Sequence, residues 1–94
     1  MKVVGRDKLA AFVQKHADSR RWIESWLAET EGTVWRTPHE IKERYAATSF
    51  LAGNVVIFNV RGNNHRLEVQ IAYKTSTVVI RWIGTHDEYT RRHS

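Results

Sequence analysis

The chain has 94 residues, a formal net charge of +5 and no cysteine, which excludes a disulfide framework and any Cys-based zinc site. No apolar run approaches the roughly 18 residues of a membrane span, and the opening Met-Lys-Val-Val-Gly is too short for a signal peptide. The expectation is one cytoplasmic domain over residues 1–94 with no membrane partner. A pI near 10.0 favours a polyanionic partner such as nucleic acid, although the same charge serves equally to keep a small protein in solution.

Lys2 to Val4 reads as a short strand. Leu9, Phe12, Val13 and His16 recur at helical spacing, so the segment from Arg6 to His16 is an amphipathic helix. Asp18 or Ser19 is placed to cap a second helix with the apolar stripe Trp22, Ile23, Trp26 and Leu27. Gly32 is placed to end that helix in the left-handed conformation. Two short helices with a brief connection predict a helical hairpin. Thr37-Pro38-His39-Glu40 joins a cap, a proline at the first helical position and a carboxylate for a capping box, so a third helix runs to about Arg44. Ser49-Phe50-Leu51 is a candidate strand, and Ala52-Gly53-Asn54 a turn.

From Val55 onwards the period is two, giving strands Val55 to Val60, His65 to Tyr73 and Val78 to Thr85, joined by hairpin loops. Setting Val60 opposite His65 and Tyr73 opposite Val78 puts Val56, Phe58, Leu67, Val69, Ile71, Ile80 and Trp82 on one face, which should pack on the helical hairpin. The other face then carries Asn59, Arg66 and Thr85 in one row and Gln70 with Arg81 in another. A one-residue slip would exchange the faces, so burial selects the register. Thr85 and Glu88 fit a second capping box, which starts a short C-terminal helix with His86 and Tyr89 on one side. The fold class is therefore α+β, an N-terminal helical hairpin on a mainly antiparallel sheet.

In that register a histidine, a phenol and an arginine meet at one corner of the polar face. The set suits cleavage of RNA by its own 2′-hydroxyl, which needs a base, an acid and positive charge for the phosphorane-like transition state. Histidine titrates near neutrality, arginine grips phosphate oxygens bidentately, and tyrosine donates a proton or stacks on a base.

Three stretches carry a family resemblance. Phe58-Asn59-Val60, Gly62-Asn63 and Arg66-Leu67 resemble the pattern FNxGGNxxRL of HigB toxins. The run from Ile80 to Tyr89 is similar to their terminal IRFxGTHxEYD, and Trp35-Arg36-Thr37-Pro38 with Ile41-Lys42 resembles W-x-x-P-x-x-I-K. The resemblance implies a RelE-like fold and a metal-independent endoribonuclease that needs no cofactor and cuts mRNA, free or on the ribosome. It also implies neutralisation by a HigA-like antitoxin with a helix-turn-helix region. By matching position, His86 and Tyr89 are the expected catalytic pair, with Arg66 and Arg81 on the phosphate; Asn59, Arg61, Asn63, Asn64 and Lys42 are the expected RNA contacts.

The chain departs from the pattern where Arg61 replaces the first glycine of GGN and Thr90 stands for the usual aspartate, and its tail, Arg91-Arg92-His93-Ser94, differs from the usual one. Each candidate also has a purely structural reading. His86 suits the first turn of a capped helix, Tyr89 a packing role at the sheet edge, and Arg66 an ion pair with Glu68 or Glu88. Asn63 and Asn64 suit a turn, Lys42 a solvated helix face, and the Trp22/Trp26 stripe the core. His16, His39, His65 and His93 have no tight metal-ligand spacing. Beside the nuclease stand two other classes, a non-catalytic RNA- or ribosome-binding module and a subunit whose charge meets an acidic protein.

Overall fold

In a computed structural model, which describes residues 1–62 and 64–92, the change of hydrophobic period along the chain becomes two layers. The elements are β1 (Lys2–Val4), α1 (Arg6–Lys15), a 3-10 turn (Ala17–Ser19), α2 (Arg20–Glu31), α3 (Pro38–Arg44), β2 (Thr48–Leu51), β3 (Val55–Val60), β4 (His65–Ala72), β5 (Thr77–Thr85) and α4 (His86–Arg92). The sheet is five-stranded in the order β1-β5-β4-β3-β2. β2, β3, β4 and β5 pair antiparallel, while β1 runs parallel to the start of β5, which makes the sheet mixed.

One face of the sheet and the helical hairpin bury each other. Val56, Phe58, Leu67, Val69, Ile71, Val78 and Ile80 meet Leu9 and Phe12 of α1 and Ile23 and Trp26 of α2, removing apolar surface from water at roughly 25 cal/mol per Å². Phe58 lies at the centre, edge-on to Trp26 at 5.4 Å and to Tyr45 at 5.3 Å, with Trp35 stacked at 6.2 Å. Trp35 is thus core. Within the predicted stripe of α2, Ile23 and Trp26 are fully buried, and Trp22 and Leu27 pack on the margin of the core. α3 is fastened to α2 where the Tyr45 hydroxyl donates to the Glu29 carboxylate at 2.6 Å. Burial, then that hydrogen bond, raises the Tyr45 phenol above its ordinary value.

The capping signal at α3 is realised with one variation. Thr37 accepts from the Glu40 N–H at 3.4 Å, but Glu40 reaches back to the Arg36 N–H at 2.9 Å rather than to that of Thr37. Two other predicted termini differ. Ser19 does occupy the N-cap position of α2 but makes no side-chain capping bond, because its hydroxyl meets His65, while Asp18 lies in the 3-10 turn and pairs with Arg61. Gly32 does follow α2, yet at φ −90°, where its N–H closes on the Ala28 and Glu29 carbonyls and needs no left-handed turn.

The largest correction concerns β5. Val60 faces His65 as expected, but Ile71 faces Val78 and Ala72 faces Thr77, two residues away from the predicted register at that hairpin. A β-bulge then intervenes: Val69 faces Ile80, Glu68 faces Trp82, and Arg81 has no partner across the ladder. An extra residue reverses the in–out alternation beyond it. Trp82, expected in the core, therefore lies on the open face opposite Glu68, and Ile83 turns inward opposite Leu67. Arg66 consequently faces Gly84 rather than Thr85, and Gln70 faces Val79 rather than Arg81.

Candidate active site

The open face is organised by the two strands β4 and β5 and by the helix that β5 runs into. Alternation along β4 places Arg66, Glu68 and Gln70 on that face, with Asn59 of β3 directly opposite Arg66. Beyond the bulge, Gly84 and Trp82 share the face on β5. The capping box then turns the chain: the Thr85 N–H donates to the Glu88 carboxylate at 2.8 Å, and the Glu88 N–H donates to the Thr85 hydroxyl at 3.2 Å. The Thr85 backbone N–H, and next the Thr85 side chain, hold the Glu88 carboxyl below its ordinary value.

His86 starts α4 with its backbone N–H donated to the Asn64 carbonyl at 3.0 Å. That bond fixes the helix to the loop between β3 and β4, so His86 is exposed at the mouth of the corner. Thr90 donates its hydroxyl to the His86 carbonyl at 3.0 Å, and its oxygen lies 3.4 Å from His86 Nδ1. A hydroxyl has one proton. With that proton on the carbonyl, Thr90 can only accept at Nδ1, a contact that favours the tautomer carrying hydrogen on Nδ1 and leaves the Nε2 lone pair available.

Tyr89, one turn later, is half-buried against the sheet. The Arg66 guanidinium lies 5.8 Å from its ring centroid, and the Trp82 ring centroid 6.1 Å from it. Arg66 also donates to the His65 carbonyl at 3.3 Å. Tyr89 and Arg66 are therefore brought together by α4 and β4, and His86 shares their corner at the start of α4.

Arg81 is exposed at the bulge, where it donates to the Gln70 side chain at 2.9 Å and lies 3.9 Å from the Glu68 carboxylate. It belongs to the same face, separated from the His86 corner by Trp82. Glu68, only 6% exposed, also meets Arg92 at 3.5 Å. A carboxylate buried in a sheet demands cationic partners, and these two arginines over it tie the bulge to the end of α4.

The remaining expected contacts scatter. Asn59 and Asn64 border the corner through the register and the His86 bond, whereas Asn63 lies outside the described residues. The Arg61 side chain turns back to pair with Asp18 beside the helical layer. Lys42 donates to the Thr48 carbonyl at 2.8 Å and anchors α3 to β2, three strands across from β5.

The corner has a buried support that the sequence did not indicate. His65, beneath the loop, contacts the Ser19 hydroxyl through Nδ1 at 2.7 Å and packs edge-on to Phe12 at 5.0 Å. Burial, followed by the neighbouring His16 charge, holds its imidazole below the ordinary value.

A model of the HigB toxin family, described as the RelE-like toxic component of a toxin–antitoxin system, matches residues 19–92. The chain belongs to this family. Comparison with individual curated proteins gives no match. As a HigB-family protein it is the toxin of a toxin–antitoxin pair, with an antitoxin for a partner, and the fold is consistent with the RelE-like class. No helix among the described residues is long and apolar enough to cross a membrane. The matched segment includes all of the corner residues of this HigB-type toxin, from the Ser19–His65 support to Tyr89 and Arg92.

Proposed function

We propose that this HigB-type toxin is an endoribonuclease that cuts mRNA, free or on the ribosome, without a metal, and so stops translation in the cytoplasm until a HigA-like helix-turn-helix antitoxin neutralises it. The observation that carries the reading is the meeting of His86, Tyr89 and Arg66 at one corner, with His86 held against the β3–β4 loop. In the reaction the 2′-oxygen attacks phosphorus and the 5′-oxygen leaves, giving a 2′,3′-cyclic phosphate and a free 5′-hydroxyl. His86 Nε2 takes the 2′-hydroxyl proton, and Tyr89 supplies the proton to the leaving oxygen. Arg66, with Arg81 further along the face, holds the phosphate oxygens as negative charge grows on them. Asn59 and Asn64 line the strand's entry, and Asn63 is carried over as an RNA contact from the sequence motif alone; Arg61 contacts RNA by exchanging Asp18 for phosphate, and Lys42 contributes at the far edge.

The test is inducible expression of the wild type, His86→Ala and Tyr89→Phe, with 5′-end mapping on cellular mRNA. Discrete cuts should fall by roughly 10²–10⁴-fold in each variant, and the purified toxin should cut in EDTA. Undiminished cleavage by the double variant would refute the assignment. One observation favours a second reading, a non-catalytic RNA- or ribosome-binding module: among the described residues no carboxylate forms an ion pair with His86. Growth arrest without any new 5′ ends would select that reading.

A further inference from the structure

Trp82 is in an unexpected place for a large apolar residue. The bulge at Arg81 turns it onto the open face, where it is half-buried and lies flat over Gly84. Its ring has Tyr89 at 6.1 Å on one side and the Arg92 guanidinium at 5.3 Å. Arg66, Tyr89, Trp82 and Arg92 thus form a row of two neighbouring rings flanked by two cations that begins at the His86 corner. Burial alone does not account for it, because Ile83 next door fills the core position that Trp82 vacates.

Trp82 also forms part of the wall of a cleft of about 390 Å³ between α1 and β5. Lys8 and Lys15 project into this cleft from α1, and Arg81 and His16 also line it. Lys8 and Lys15 are exposed, and neither has an ion-pair partner among the described residues. Glu88 is the acidic group in the lining, and its carboxylate is engaged by the Thr85 backbone N–H. The cleft is therefore cationic, with an indole at its rim. A polyanion with flat, stackable groups matches both features: bases stack on aromatic rings while phosphates follow the cations. An acidic peptide would use the charge and leave the ring without a role.

We propose that Trp82 and this cleft are a single-stranded RNA subsite for the nucleotides flanking the scissile phosphate. One base stacks on the Trp82 indole. The backbone then passes Arg81 into the cleft, where Lys15 and Lys8 bind successive phosphates. The inference rests on the RNA-cleaving reading above, and its test separates the two.

Fluorescence anisotropy of a labelled, mixed-sequence 2′-O-methyl RNA octamer, which binds but cannot be cut, is measured with the whole toxin across a salt series. Trp82→Ala should weaken binding by roughly 5- to 100-fold, the range of one lost base stack, while Trp82→Phe stays within a few-fold of wild type. Lys8→Gln/Lys15→Gln, which changes only exposed side chains, should lower the slope of log affinity against log salt by about 1.4. Wild-type binding that Trp82→Ala and the lysine pair leave unaltered would overturn the subsite while the nuclease reading stands. Wild-type toxin that neither binds the octamer at low salt nor cuts RNA would overturn both. Equal affinity for poly-glutamate and RNA, with no dependence on Trp82, would reassign the cleft to an acidic protein segment and refute the proposal.

Discussion

Gly84 supports the Trp82 ring, and the geometry gives the size of the effect of filling its place. A Cβ added at Gly84 would stand 2.5 Å from Trp82 Cζ2, 2.6 Å from Cη2 and 3.0 Å from the Glu88 carboxylate. Carbon atoms settle at about 3.5–4.0 Å, so the ring has to retreat by about 1 Å toward Tyr89 and Arg92. Overpacking of this kind costs about 1–3 kcal/mol. It is offset by about 0.4–1 kcal/mol, because alanine reduces the freedom of the unfolded chain. Gly84→Ala should therefore lose about 1–2 kcal/mol, a fall in Tm of roughly 5–15 °C for a chain of this length. In a Trp82→Ala background the ring is gone and the sign should change, with Gly84→Ala neutral or stabilising by up to about 1 kcal/mol. Urea unfolding of the four proteins of this cycle yields the coupling directly, expected at about 1–3 kcal/mol. An equal cost of Gly84→Ala in both backgrounds would show that the indole does not rest on Gly84. The half-buried platform inferred above would then lose its structural basis.

Three further perturbations probe the support of the corner and the loop beside it. The His65 imidazole is held below its ordinary 6.5, by burial first and the His16 charge second, with Asp18 opposing; the unfolded chain therefore binds more protons as pH falls. Stability should be fully present above about pH 6.5 and decline as pH drops through the lowered folded value. Urea midpoints of wild type and His65→Phe at about pH 7.5 and 5 should show a steeper decline in wild type; a parallel decline would assign the effect to other groups. Ser19→Ala, which leaves the His65 ring nitrogen without its 2.7 Å partner, should lower stability by about 1–3 kcal/mol at neutral pH. Arg61 holds a left-handed φ of 50°, a conformation that costs a non-glycine residue about 1–2 kcal/mol, while its exposed pair with Asp18 contributes about 0–1 kcal/mol. Arg61→Gly should thus be neutral to about 1 kcal/mol more stable in urea, and clearly more stable than Arg61→Ala; the reverse order would show that the ion pair dominates.

Much of the candidate site was legible because its parts are local. Thr85 and Glu88 lie within one helical turn, so the capping box, and with it the side-by-side placement of His86 and Tyr89, follows from short-range geometry. The meeting of Arg66 with Tyr89 depends on the β4–β5 pairing, where the bulge takes back half of the two-residue shift at the hairpin and leaves Arg66 opposite Gly84, one residue from the predicted Thr85. The side chains of Arg61 and Lys42 are directed away from the corner, which short-range geometry does not reveal. Long flexible side chains choose among distant partners, and theirs, Asp18 and the Thr48 carbonyl, are brought near only by packing.

The layer architecture and the corner follow from hydrophobic period, caps and turn residues, which act over a few neighbouring positions. The residue order also keeps the trace of a left-handed turn at Arg61-Gly62, where both residues have positive φ although the first is not glycine. The bulge, by contrast, is set by packing between distant elements. Alternating apolar residues specify which face is buried, but an unpaired Arg81 reverses the alternation while still filling the core, with Ile83 taking the inward place of Trp82. That exchange is nearly balanced for the strand alone. It is settled by what lies on either side: Leu67 and the helical hairpin within, and Gly84, Tyr89 and Arg92 making room for an indole without.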